Sequence, residues 1–166
     1  MARDAFLKIE GIEGESSDDT HTGWIEIHTY DHTVSQQVGG SQSSSGGLSG
    51  ERTTHQHFVI TKDIDKATPK LFDKCCTGET IPSIELSLNR AAGGKGDKVE
   101  YMHYKFSPVL ITEVQTVYEP DNPLPREKVS WTYGKIEWTY TQQKAADGSG
   151  GGKVAAGWNL NKNKSV

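Results

Sequence analysis

Apolar side chains recur at every second position over most of this chain, the period of a strand with one buried face. Ala5, Leu7 and Ile9 alternate with Asp4, Phe6, Lys8 and Glu10, and Gly11 and Gly14 end the run. Residues 12–22 are polar and acidic and read as a solvated loop. Gly23 to Val34 reads as a second strand, with Ile25 and Ile27 on one face and Trp24, Glu26 and His28 on the other. That mixed second face predicts partial cover by a helix or a neighbouring subunit. Gln56 to Thr61 places Phe58 and Ile60 together, and Pro82 to Arg90 sets Ile84, Leu86 and Leu88 against Glu85, Ser87 and Asn89. Val99 to Tyr118 is extended apart from Ser107-Pro108, where a proline predicts an edge position or a bulge. In Val129 to Thr141 the phase flips across Gly134-Lys135, which predicts a β-bulge at Gly134. Lys153 to Leu160 adds a short last strand.

One helix interrupts this series. Thr68 is placed to cap it, Pro69 suits its first turn, and Gly78 ends it. Leu71, Phe72, Cys75 and Cys76 share one side, so both cysteines are expected to be buried and structural. Ser35 to Gly50 differs in kind: eleven of its sixteen residues are Ser or Gly. Such a composition cannot stabilise a loop alone, yet strands resume directly after it. It reads as an excursion between paired strands, ordered when a partner holds it. About seven strands without alternating helices predict a mainly β, antiparallel sandwich or small barrel with one short flanking helix near residues 69–77. Residues 1–166 are expected to form a single domain, with a Ser/Gly-rich extended loop at 35–55.

Composition narrows the function. Only 33% of the 166 residues are hydrophobic, as suits a shell with two wet faces. The net charge of −4 comes without a Lys/Arg block, so no nucleic-acid partner is expected. No run approaches the ~20 apolar residues of a membrane span, so no membrane insertion is expected. Met1-Ala2-Arg3-Asp4 leads straight into a strand without the apolar run of a signal peptide. The expected route is synthesis in the cytoplasm and export, if any, without a cleaved signal.

Candidate chemistry is thin. His55 and His57 share a strand face, but no third ligand stands at a suggestive spacing, so no metal site is expected. A nucleophilic Cys75 or Cys76 would need a depressed thiol pKa and a nearby histidine. Gly93-Gly94-Lys95-Gly96 lacks phosphate-loop spacing and reads as a hairpin turn. Glu10, Glu13, Glu15, Asp18 and Asp19 lack an apolar wall that would raise a carboxyl pKa. Trp131, Tyr133, Trp138 and Tyr140 suit a sugar-binding face or a buried β face. No catalytic residue and no cofactor follow. A small-ligand or carbohydrate-binding β-barrel, monomeric with an occupied apolar cavity, is the alternative to the reading below.

The order of segments is the informative feature. Phe6-Leu7-Lys8-Ile9 leads to Gly14-Glu15-Ser16, and Trp24-Ile25-Glu26-Ile27 follows. Then come Asp65-Lys66-Ala67-Thr68-Pro69-Lys70-Leu71, Ile81-Pro82, Arg90-Ala91 and Val99-Glu100-Tyr101. Ile136-Glu137-Trp138-Thr139-Tyr140, Gln143-Lys144-Ala145 and Ala156-Gly157-Trp158-Asn159 close the series. Over nearly the whole chain this order resembles the haemolysin-coregulated (Hcp) family of bacterial type VI secretion. The Pro-rich stretch 119–127 and Gln142 depart from the family's usual residues.

The resemblance implies two β-sheets forming a small barrel beside one helix, and a structural tube subunit rather than an enzyme. It implies a homohexameric ring around a channel, with rings stacked into a tube. A spike-tip protein would cap the tube, a contractile sheath would expel it, and effector cargo would ride in the channel. The protein would pass from the bacterial cytoplasm to the exterior. Ser41, Ser43, Ser44, Gly46, Gly47 and Leu48 would belong to a ring-stacking loop, and Asp31, by its position, to the channel lining.

Overall fold

The computed structural model of the chain describes residues 4–39, 50–92, 98–144 and 150–166. Among these residues the fold is mainly β and antiparallel, with eleven strands and one helix. In chain order these are β1 (Asp4–Ile9), β2 (Ile25–Glu26), β3 (Thr29–Asp31), β4 (Val34–Val38), β5 (Gly50–His55), β6 (Phe58–Asp63), α1 (Thr68–Thr77), β7 (Ile84–Ala91), β8 (Lys98–Val117), β9 (Arg126–Gln143), β10 (Gly150–Asn159) and β11 (Lys164–Ser165). The second strand expected over residues 23–34 is therefore three pieces, because the chain changes partner twice.

Hydrogen-bonded neighbours run β11-β10-β9-β8-β7-β1-β2, while β6 joins β9 on one side and β3 on the other. The long strand β9 is shared. Its first part, Arg126 to Trp131, takes β6, and its second part, from Lys135, takes β10. The segment from Ile25 to Asp31 hands over from β1 to β6, with Ile27 N–H donating to Ala5 O and His28 N–H to Thr61 O. The ladder breaks at that handover, so the barrel is not closed. The second sheet is the β4–β5 hairpin alone.

The core forms where the inward faces converge. Phe58 lies against Trp131 with ring centroids 5.0 Å apart, and Phe106 packs edge-on to both. Burying Phe58 and Phe106 completely stabilises the fold by about 1.5–3 kcal/mol each. Buried positions change parity along β9, from Val129, Trp131 and Tyr133 to Ile136. β8 changes parity at the same level, from Tyr104 and Phe106 to Val109 and Ile111. Register runs unbroken from Met102↔Tyr140 to Ile111↔Trp131, so Gly134 is not a bulge. The two strands switch faces together, with Pro108 across from Gly134, where an added Cβ would come within 3.0 Å of the Pro108 ring. The register shift lies instead between Ile111 and Glu113. The β7 ladder on the other side of β8 ends at Phe106, and past Pro108 only the single bridge Ile81↔Val109 stands there, so the proline marks both a bend and the point where β8 becomes an edge, as expected.

The helix is held mostly at its start. Ala67, not Thr68, is the N-cap, and no side chain caps it. Thr68 Oγ1 instead accepts from Asp65 N–H at 3.0 Å and donates to Glu127 Oε2 at 2.8 Å. Lys62 Nζ donates to Glu127 Oε2 at 2.5 Å and to Asp65 Oδ1 at 2.9 Å, with Lys62 and Glu127 fully buried. Gly78, at φ 65°, ends the helix in the left-handed region and donates its N–H to Lys74 O. Leu71 is the helix's one fully buried side chain. Cys75 is half-buried and Cys76 exposed, with Phe72 also exposed, which corrects the expectation that both cysteines lie inside. The ten-residue helix sits on β8 by a single narrow stripe, so Cys76 falls off the buried arc.

Candidate functional site

The arms of the Ser/Gly-rich excursion are ordered as β4 and β5, paired Val34↔His55, Ser35↔Thr54, Gln36↔Thr53 and Val38↔Gly50. The stacking-loop candidates Ser41, Ser43, Ser44, Gly46, Gly47 and Leu48 lie outside the described residues. The hairpin forms no ladder with the main sheet, and every residue of β4 is exposed, Val38 at 62%. A two-stranded ribbon is marginal in water by itself. This ribbon presents valines to solvent, so its sequence is suited to cover by another surface.

Two histidines fasten its neck. His55, at the end of β5, bonds Tyr133 Oη through Nδ1 at 2.9 Å and lies edge-on to that ring. His32, just before β4, accepts the indole N–H of Trp138 at Nε2, 3.1 Å away. Its ring also lies against Phe58 and Tyr104 at 5.3 and 5.8 Å. Burial lowers the proton affinity of both histidines, and His55 lowers that of His32 further. Burial likewise pushes the Tyr104 and Tyr133 phenols up. Backbone and side-chain bonds complete the anchor: Gln56 N–H to Thr33 O at 3.1 Å, and Arg52 Nη2 to Leu160 O at 3.1 Å.

Asp31 closes β3 opposite Val59, exposed, with no hydrogen bond or ion pair among the described residues. Neighbouring Tyr30 turns the other way and stacks on Phe58. Asp31 is therefore a free surface carboxylate two residues from Thr33, where the hairpin begins.

The two ends of the strand order carry opposite charge. At the β10–β11 end, Lys153, Lys162 and Lys164 are exposed and form no ion pair among the described residues. β11 covers β10 only at Trp158 and Asn159, so the outer edge of Lys153 to Ala156 is unpaired and Val154 is 71% exposed. At the β1–β2 end, Glu15, Asp19 and Glu26 are exposed and likewise unpaired, against one exposed unpaired cation, Lys8, among the described residues, so that end is acidic on balance.

The acidic loop 12–22 is more ordered than its composition predicts. Ser16 and His21 are buried, and His21 stacks on Phe6 at 4.4 Å. His21 Nδ1 lies 3.0 Å from Asp18 Oδ2, and its Nε2 lies 3.1 Å from Ser87 Oγ. These are the distances of a nucleophile, base and orienting acid. The Ser87 hydroxyl, however, is fully buried and already donates to Glu100 Oε2. The trio therefore holds the loop rather than opening to a substrate. Lys98 bridges Asp4 and Asp18 at 2.6 Å each, which holds the Asp18 carboxyl well below the usual carboxylate range and pushes the Lys98 ammonium up.

The remaining candidates disperse. His57 bonds Thr112 while His55 bonds Tyr133, so the two do not converge. Trp131 and Tyr133 are core, Trp138 is half-buried and Tyr140 exposed, so the β9 aromatics do not make one ligand face. A groove of about 590 Å³ opens elsewhere, over Asp4, Glu15, Asp18, Asp63 and Lys98, with no β9 aromatic in its wall.

Residues 6–140 match the family model described as type VI secretion system effector, Hcp. The chain belongs to the Hcp family. It is 34% identical over 163 residues to protein hcp1 of Pseudomonas aeruginosa, covering 98% of each chain. A solved structure described as that of a type six secretion system protein superposes with a TM-score of 0.91 at 29% identity, covering 99% of this chain and all of that one. Hcp1 from Salmonella typhimurium superposes at 0.78 with 28% identity, covering the whole of both chains. Membership makes this a type VI secretion protein. No helix of the described residues is long and apolar enough to cross a membrane.

Proposed function

We propose that this Hcp chain is a structural tube subunit: copies close into hexameric rings, and the rings stack into a tube that sheath contraction expels. The observation that carries the reading is the pairing of an unpaired basic strand edge, β10–β11, with an acidic flank at the opposite end of the strand order. A surface that differs from the surface it meets makes a head-to-tail contact, and such contacts close into rings when the rotation permits. The projecting hairpin, with its exposed valines, supplies the contact along the tube axis. The Ser87 hydroxyl, buried and already donating to Glu100, and the dispersed histidines give no support to an enzymatic reading. The chain would be made in the cytoplasm and leave through the secretion machine, with a spike-tip protein and sheath as its partners.

Asp31 is proposed to face the channel. Six copies around one axis would form a ring of negative charge, which repels like-charged cargo in a confined space. Asp31→Arg should preserve the rings and change which effectors co-purify. Unchanged cargo in intact rings would return Asp31 to the outer surface. The tube reading itself is tested by light scattering after size-exclusion chromatography. The expected mass is about six times 18.2 kDa, and a monomer at micromolar concentration would overturn it.

A further inference from the structure

We propose that His32 is a proton-operated latch: taking up a proton there opens the neck of the β4–β5 hairpin and loosens whatever the hairpin holds. The latch itself stands on the geometry of the neck, and only its consequence for stacked rings rests on the tube reading.

The argument starts from hydrogen-bond roles. An indole N–H can only donate. His32 Nε2, 3.1 Å from Trp138 Nε1, must therefore accept, so the ring is neutral with its proton on Nδ1. That Nδ1 is itself buried without a partner. A second proton would go on Nε2 and set two N–H donors head to head. The resulting cation would have no acceptor at either nitrogen.

The surroundings offer it no compensation. From β6 comes Phe58, and from β8 comes Tyr104, whose hydroxyl pairs with Tyr30 Oη of β3 at 3.4 Å. From β9 comes Trp138, and from β5 comes His55, a second base of the same sign, itself held by Tyr133 of β9. No carboxylate faces the ring among the described residues, and the adjacent Asp31 is exposed. The ring is half-buried, but Nδ1 is shut off from solvent, and a cation with no acceptor there is costly, so the protonated ring leaves its seat. His32 stands one residue before Thr33, whose carbonyl closes the neck with Gln56, so its departure frees the first arm of the ribbon.

The sign follows from burial and from His55, both of which lower the proton affinity of His32 in the closed state. The closed neck keeps its full stability above the ordinary histidine range of about 6.5. It loses stability as pH falls below that range, where the open form takes up the proton first, and the loss levels off once the closed form also protonates.

The test is amide exchange, expressed as protection factors, on the purified chain from about pH 8 to about pH 5. Protection across β4–β5 should fall with pH while protection across β8–β9 holds. His32→Phe, which keeps a ring but cannot take a proton, should shrink the pH dependence to what His55 alone contributes. His55→Gln should keep it but make the loss smaller, because without His55 the closed-state proton affinity of His32 lies nearer its ordinary value. Equal loss in His32→Phe, or no loss in the unmodified chain, would overturn the latch. So would nitrogen NMR of the unmodified chain that finds the neutral His32 proton on Nε2, a readout independent of whether the variant folds. Light scattering over the same range reads the consequence: stacks at the higher pH and separate rings at the lower support it. Stacks that persist while the hairpin opens would limit the latch to the hairpin. An absence of rings at every pH would sink the tube reading, and exchange would still decide the latch.

Discussion

At the scale of single residues, the least expected feature is a lysine with no exposed atoms in the middle of a β-protein. Lys62 and Glu127 face each other in register across β6 and β9, and Asp65 and Thr68 complete their bonds. Taking both charges out of water is expensive, and Glu127 Oε1 has no partner. The cluster ties the start of α1 to two strands, which replaces the side-chain cap that the helix lacks. Glu127→Gln leaves a buried ammonium short of its closest counter-charge. It should cost about 3–5 kcal/mol in urea unfolding, whereas Lys62→Met with Glu127→Leu should cost less than the two single changes summed. An unchanged midpoint for Glu127→Gln would show that the pair does not hold the helix. The pair could have been found in the sequence. Phe58 and Ile60 define the inward parity of β6, and Lys62 continues it; Glu127 likewise precedes Val129 and Trp131. The Asp18–His21–Ser87 trio left no such signal, because contact across 66 positions depends on how the loop folds back.

At the scale of elements, strands with regular alternation were legible and breaks in alternation were not. β1 and β7 stand close to where period two puts them, while β10, exposed along most of its length, begins earlier than the expected Lys153. The flip at Gly134 reads as a bulge when β9 is considered alone. Only the pairing shows that β8 flips at the same level and keeps register, so the cause is a shared bend. The helix was legible from Pro69 and Gly78, but its buried arc is narrower than four apolar residues suggest, and Cys76 lies outside it. The excursion was legible as an insertion between strands, but the pairing of its own arms as β4 and β5 was not, nor was its fastening by His32 and His55, since a histidine's partners cannot be read from spacing. Because the described part of the hairpin joins the body at its neck and through Arg52, and not through its tip, shortening the tip should spare the core. Deleting Ser41 to Gly47 should leave the unfolding midpoint nearly unchanged while weakening tubes seen by negative-stain microscopy. Tubes of undiminished length after the deletion would remove the hairpin tip from stacking.

At the scale of the whole molecule, the question is why an exposed strand edge is tolerated. A free edge beside Val154 invites pairing with any other strand, a hazard that proteins blunt with charge, above all lysine. Lys153, Lys162 and Lys164 supply that charge here, and on the proposed tube reading the same charge would select a partner, repelling another basic edge and attracting an acidic flank. An edge that refuses its own kind but accepts the opposite flank of the next copy produces head-to-tail rings and disfavours two-fold dimers. This leads to a reciprocal test. Lys153→Glu with Lys164→Glu should make the ring mass collapse toward 18.2 kDa in light scattering, most fully at low salt, where exposed charges are least screened. Glu15→Lys with Glu26→Lys should do the same from the other side. Mixing the two variants should restore rings in which they alternate, since the acidic edge and flank of one copy meet the basic flank and edge of the other. Placing all four changes in one chain inverts both flanks together and should bring the ring back. If the four-fold variant stays monomeric while its fold is intact by circular dichroism, the contact is not made by these charges, and the lysines serve only to guard the edge.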